Sequence, residues 1–264
     1  MITLASDFGT PYPAAMKGVM LSRTDAQLVD IAHDLPRQDP RAAAFWLREA
    51  IPHFPPAVHL AVVDPGVGTD RRAIAIGVGD HALVGPDNGL LRPVVRRLAD
   101  RADATADDIA AHEITVDDPA STTFHGRDVF APAAAEIHEA GVDRMSEVDL
   151  LSPIAFDSCV DLSFPEPTRE GETADSETIH GEVLAVDDFG NAITNVPGEM
   201  LPAGEQATVN GVSVPVVDTF DRVDRGSRLL MVGSHGYVEC DVNRGRGDEA
   251  FGLGVGDSVD LVVG

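Results

Sequence analysis

Val58-His59-Leu60-Ala61-Val62-Val63-Asp64-Pro65-Gly66-Val67-Gly68-Thr69-Asp70-Arg71-Arg72 is the stretch on which the reading of this chain turns. The apolar run at 58–63, broken only by His59, predicts a buried strand that delivers Asp64 at its carboxyl end. Pro65, Gly66 and Gly68 force a tight reversal, and Arg71 and Arg72 follow just before a second apolar run at 73–78. In an open α/β sheet, ligands collect in the crevice beyond the carboxyl ends of the strands. A carboxylate placed there, with an arginine returned by a glycine turn, is a candidate reactive pair. A turn aspartate capping its own backbone beside solvated arginines accounts for this stretch equally well.

Outward from that stretch, strands at 2–6, 28–32 and 82–85 alternate with helices at 13–23, 42–51 and 90–98. The alternation predicts an N-terminal α/β domain, a mostly parallel sheet sandwiched by helices. Residues 99–120 read as acidic and irregular, and the turn Phe124-His125-Gly126-Arg127-Asp128 opens an alanine-rich helix at 129–140. Around Pro165-Glu166-Pro167 the composition turns polar and acidic, which marks a boundary. Short strands separated by Gly and Pro turns follow, at 181–186, 192–196, 206–209, 229–233, 237–242 and 258–263. The expected organisation is an α/β domain over 1–165, a linker over 166–178 and a C-terminal all-β barrel domain over 179–264.

Composition narrows the function classes. A chain of 264 residues with 44% hydrophobic content can bury a large core, and it has no apolar run near the ~20 residues of a membrane span. Its start, Met1 to Asp7, lacks a basic leader and reads as a first strand. Cys159 and Cys240 make no disulfide framework or metal motif, so a reducing cytoplasm is expected. The formal charge of −25 repels nucleic acid. Lys17 is the only lysine, and the acids are scattered along the whole chain. That is expected of a halophile's surface, where salt screens self-repulsion. No phosphate loop, zinc spacing or Gly-x-Ser-x-Gly elbow is present, and His33-Asp34 is an isolated pair.

The remaining candidates are carboxylates at strand ends, Asp7, Asp64, Asp87 and Asp187, together with the His125 turn. One carboxylate can accept both hydroxyls of a ribose, which suits Asp7, though the same residue could cap the helix after Gly9. His125 at a helix start would be kept mostly neutral by the dipole and suited to hydrogen bonding, or would simply cap that helix.

Together, Ser6-Asp7-Phe8-Gly9, Val63-Asp64-Pro65-Gly66-Val67-Gly68, Gly85-Pro86-Asp87-Asn88-Gly89-Leu90, Phe124-His125-Gly126-Arg127-Asp128 and Asp187-Asp188-Phe189-Gly190-Asn191-Ala192-Ile193-Thr194-Asn195 occur in one order. This resembles the S-adenosylmethionine hydroxide adenosyltransferases, relatives of the fluorinase and chlorinase enzymes. The resemblance spans nearly the whole chain. It implies a homotrimer with active sites at subunit interfaces, and attack of water or hydroxide at ribose C5′ of S-adenosylmethionine to give adenosine and methionine. That molecule is the substrate, and no cofactor or metal is implied. The catalytic positions would be Asp64, Arg71 and His125. Gly126 stands where the fluorinase has a halide-holding serine, which favours water. Substrate contacts would come from Asp7, Phe8, Phe124, Asp187, Phe189, Asn191, Ser234, Asn243 and Arg244, with His235 replacing an arginine of the halogenase. Two other readings stay open: a 5′-halogenase of the same fold, and a non-catalytic S-adenosylmethionine or adenosine sensor.

Overall fold

A computed structural model describes residues 1–116, 120–171, 177–201 and 206–263. The chain divides into two compact units, Met1–Ser163 and Phe164–Gly264.

The first unit runs β1 (Ile2–Ser6), α1 (Tyr12–Leu21), β2 (Leu28–Ala32), α2 (Pro40–Ala50), β3 (Val58–Val62), β4 (Ala73–Val78), β5 (His81–Pro86), α3 (Arg92–Ala102), β6 (Ile109–Ile114), α4 (Ala131–Ala140) and β7 (Leu151–Ile154). Among the described residues these strands form one sheet in the order β2-β1-β3-β5-β4-β6-β7. Strands β1 and β3 are buried along their whole length, as central strands covered on both faces must be. Ile2 and Leu4 of β1 and Leu60 and Val62 of β3 pack with Met16 and Met20 of α1 and the alanines of α4. Right-handed crossovers leave β1 toward β2 on one side and return to β3 on the other, so α1 and α2 belong to opposite faces. Helix α2 begins at Asp39, whose carboxylate accepts from the Ala42 N–H at 3.0 Å, with Pro40 in the first turn.

The fold class agrees with the expectation, but the sheet is mixed. Its β2-β1-β3-β5 half is parallel, whereas β4 pairs antiparallel with both β5 and β6, and β6 with β7. The cause is local: only Gly79-Asp80 separates β4 from β5, and so short a connection can only close a hairpin. Two strands of this unit went unforeseen. β6 occupies part of the stretch read as irregular, and β7 follows α4; residues 117–119 lie outside the described residues.

The second unit contains β8 (Thr168–Glu170), β9 (Thr178–Val186), β10 (Ala192–Pro197), β11 (Gln206–Val209), β12 (Val212–Pro215), β13 (Arg228–Val232), β14 (Tyr237–Val242), α5 (Gly247–Phe251) and β15 (Ser258–Val263). The antiparallel order is β12-β11-β15-β9-β10-β14-β13, and a bridge from Val216 to Leu230 returns the end of β12 to β13, so the sheet nearly closes into a barrel. Ile179, Val183, Val196, Val209, Leu230, Val238 and Leu261 fill it. The linker expected at 166–178 needs correction, because β8 lies within it and pairs with β9. Residues 172–176 of that stretch lie outside the described residues.

Candidate active site

Strands β1 and β3 are parallel neighbours, with Ser6 opposite Val62. Asp7 and Asp64 therefore leave the sheet at one carboxyl edge, and at the place where the strand order reverses. That is where open α/β sheets hold ligands.

After β3 the chain turns through Gly66 and Gly68 and brings Arg71 back onto Asp64. Arg71 Nε donates to Asp64 Oδ1 at 3.1 Å, and Nη2 donates to Oδ2. This two-pronged pairing fixes the carboxylate plane. Arg71 Nη1 donates to the Arg72 carbonyl at 2.6 Å, and the guanidinium lies 5.3 Å from the centre of the Phe130 ring. Both side chains are nearly sealed, at 4% exposure for Asp64 and 9% for Arg71. Gly68 adopts φ +79, and a Cβ there would lie 3.1 Å from the Thr122 carbonyl oxygen. The turn thus packs tightly on the loop that carries His125.

His125 precedes a π-helical turn, Gly126–Phe130, that runs into α4. Such turns bulge a helix and recur at functional sites. Here the turn places His125 Nδ1 3.3 Å from Arg71 Nη2. A guanidinium can only donate, so Nδ1 accepts and the ring proton belongs on Nε2. Asp64, Arg71 and His125 therefore meet in one hydrogen-bonded group, with the Nε2–H left as a donor.

Beside it, Phe8 and Phe124 meet edge to face with centroids 6.0 Å apart. Tyr12, which the sequence reading missed, joins them, 5.4 Å from Phe124. These rings, with Arg37, Ser121, Thr123 and Arg127, line a cleft of about 480 Å³. Arg127 lies over Phe124 and forms a paired bond with Asp128, which holds the Asp128 carboxyl below its ordinary value. Asp7 accepts from the Gln38 N–H at 2.8 Å through one oxygen. Asp87 plays a structural part, accepting from Arg72 Nε at 2.9 Å and from the Val160 N–H at 2.7 Å.

In the second unit, Asp187 and Asn191 come together in the turn between β9 and β10. Asp187 accepts from the Asn191 N–H at 2.9 Å and from Asn191 Nδ2 at 3.0 Å. Phe189 at the tip is 80% exposed. Asn243 follows β14, where its side chain donates to the Val223 carbonyl at 2.8 Å, and Arg244 is exposed with φ +58. Ser234 is exposed in the turn between β13 and β14, at the opposite end of β14 by register. Sequence reading also missed Glu239 and Asp241. They face away from the barrel core on β14, yet both are buried, and neither oxygen of Asp241 has a partner among the described residues. Burial and the Asp187 charge push Glu239 up to about 7; burial and the charges of Glu239 and Asp187 push Asp241 up to about 8.

Among the described residues, no group of three or more His, Cys, Asp or Glu could hold a metal ion, and no helix is long and apolar enough to cross a membrane.

Residues 2–148 match the model of the SAM hydroxide adenosyltransferase N-terminal domain, and residues 181–260 match that of the C-terminal domain. A Salinispora tropica protein named (R)-S-adenosyl-L-methionine hydrolase is 39% identical, over 100% of this chain and 98% of that protein. A Thermus thermophilus protein of the same name is 41% identical over 97% of each. The crystal structure of an uncharacterized conserved protein from Thermotoga maritima superposes with a TM-score of 0.81 at 30% identity, covering 100% of both chains. The chain belongs to the SAM hydroxide adenosyltransferase family.

Proposed function

We propose that this chain hydrolyses S-adenosyl-L-methionine to adenosine and L-methionine by attack of water or hydroxide at ribose C5′. The observation that carries the reading is the Asp64–Arg71–His125 group at the carboxyl edge of β3. The names of the full-length relatives support it.

The chemistry asks little of the protein beyond placement. The leaving group is a neutral thioether departing from a sulfonium, so no general acid is needed. Catalysis then lies in holding water in line with the C5′–S bond and limiting the solvent around it. Asp64 accepts a hydrogen bond or proton from that water. Arg71 holds the Asp64 carboxylate in plane, and the His125 Nε2–H orients the nucleophile from a second side. A fixed anion at Asp64 disfavours a halide in the same place.

For binding, Asp7 takes the ribose hydroxyls, and Phe8 and Phe124 lie beside the sugar or purine. Asp187, Asn191, Phe189, Ser234, Asn243 and Arg244 serve the amino-acid and adenine ends. The reaction runs without cofactor, in a homotrimer with active sites at subunit interfaces. The enzyme works in a salt-rich cytoplasm.

The test is turnover of S-adenosylmethionine in ¹⁸O-labelled water and high salt. Release of methionine with adenosine carrying the label in its 5′-hydroxyl is expected. Unchanged ligand after hours, or a 5′-halo-adenosine in the presence of chloride or fluoride, overturns the proposal.

A further inference from the structure

The carboxyl edge of β1 carries a second hydrogen-bond chain, separate from the Asp64 group. It starts at Ser6, which has no solvent exposure and whose Oγ lies 2.8 Å from His33 Nδ1. His33 Nε2 lies 2.9 Å from Asp30 Oδ1, and Asp30 Oδ2 accepts from Lys17 Nζ at 2.6 Å. Lys17 is the chain's one lysine. Partial burial acts to raise the Asp30 carboxyl, but hydrogen bonds from Lys17 and His33 outweigh it and hold the group below its ordinary value. A carboxylate only accepts, so Nε2 carries a proton, and in the neutral imidazole Nδ1 receives the Ser6 hydroxyl.

The same two segments are joined by backbone. Gly9 N–H donates to the His33 carbonyl at 2.8 Å, and Leu35 N–H donates to the Ser6 carbonyl at 3.2 Å. Gln38 N–H, in the same loop, donates to Asp7 Oδ2 at 2.8 Å. One oxygen of Asp7 is held in this way, and Oδ1 has no hydrogen-bond partner among the described residues. His33 reaches from the 33–38 loop into the buried end of β1 through an acceptor that a hydrocarbon of the same shape would lack.

We propose that His33 is a positioning residue for Asp7: acting through Ser6 and the loop that follows, it sets the carboxylate to read the vicinal hydroxyls of a ribose. The proposal rests on the hydrolase reading, which makes a ribonucleoside the ligand of this edge.

The test compares adenosine with 2′-deoxyadenosine by calorimetry on the full chain, in the wild type and in variants whose folding is checked by thermal melting. A hydrogen bond to a charged group leads the wild type to prefer adenosine by about 10–100-fold. Asp7→Ala sets the floor, with no preference. His33→Ala is expected to cut the preference to within about threefold, through weaker adenosine binding and nearly unchanged 2′-deoxyadenosine binding. His33→Asn, whose Oδ1 can accept from Ser6, is expected to restore most of it. Where His33→Ala fails to fold, Ser6→Ala removes the same link with a smaller change and is expected to show the same loss. A preference kept in both variants overturns the proposal, as does an equal loss for both nucleosides, which a merely structural role would give. A wild type that binds both nucleosides alike overturns the Asp7 assignment and the proposal together. One that binds neither overturns the hydrolase reading as well.

Discussion

Asp64 and Gly126 show how closely single residues are constrained at this edge. Asp64 presents both oxygens to one guanidinium, so its geometry depends on accepting at each. Asp64→Asn keeps the shape but turns an N–H₂ toward Arg71, which can only donate. The expected result is a fall in kcat of about 10²–10⁴, the range for a positioned base, with adenosine affinity changed less than about threefold. Steady-state rates and calorimetry on the same preparation check it. Gly126 is limited by space. A Cβ there would stand 3.1 Å from Met16 Sδ and 3.2 Å from the Phe124 and Phe8 rings. Gly126→Ser must push those rings aside, at a cost of about 1–3 kcal/mol. For a chain of this size that lowers Tm by about 3–10 °C. Turnover should fall with it, and no halogenated nucleoside should appear, because the Asp64 anion still disfavours a halide in the same place.

At the scale of elements, β3 and β14 hold titratable groups with opposite pH signatures. His59 on β3 bonds Thr3 Oγ1 at 2.8 Å and His81 Nδ1 at 2.9 Å, and burial, with the His81 charge, pushes it down to about 3. The unfolded chain, with His59 near 6.5, binds more protons, so stability falls as pH drops from about 6.5 toward 3. His59→Gln should flatten that slope in melts between pH 7 and 4. Asp241 on β14 works the other way. The folded chain keeps its proton up to about pH 8, the unfolded one only to 3.8, so stability falls as pH rises between those values. Asp241→Asn should match the wild type near pH 4 and melt several degrees higher at pH 8.5; equal melting at both would refute the assignment. These elements also show what the sequence could convey. Strand β3, its glycine turn and Arg71 are contiguous, so strand and turn chemistry were readable directly. Strand β6, Ile109-Ala110-Ala111-His112-Glu113-Ile114, has no clean alternation and exists through its pairing with distant β4. On β14 the alternation of Val238, Cys240 and Val242 with Glu239 and Asp241 points the acids toward solvent, yet both are buried. That burial is tertiary and leaves no local mark. The meeting of His125 with Arg71 likewise spans 54 positions, so before the structure it followed from family resemblance alone.

At the scale of the whole chain, the controlling quantity is a formal charge of −25. Many of the cations are neutralised close by: Lys17 on Asp30, Arg71 on Asp64, Arg72 on Asp87, Arg127 on Asp128 and Arg246 on Asp248. Such pairs leave most of the 44 acids with no cation of their own, so self-repulsion opposes folding. Screening relieves it as the Debye length shrinks from about 30 Å at 0.01 M salt to about 3 Å at 1 M. Tm should therefore climb steeply with NaCl up to roughly 1 M, by on the order of 10 °C, and flatten beyond, where little repulsion is left to screen. KCl should trace the same curve at equal ionic strength, because screening depends on charge and not on ion identity. Sulfate at matched ionic strength separates this cause from exclusion of salt from the surface, which would make sulfate far the stronger stabiliser and keep Tm rising above 1 M. The same screening acts on a cationic sulfonium approaching an acidic protein, so KM for S-adenosylmethionine should rise with salt while Tm rises. A melting temperature flat from 0.05 to 2 M would mean that the acids do not govern stability, and the reading of this surface as adapted to salt would fail with it.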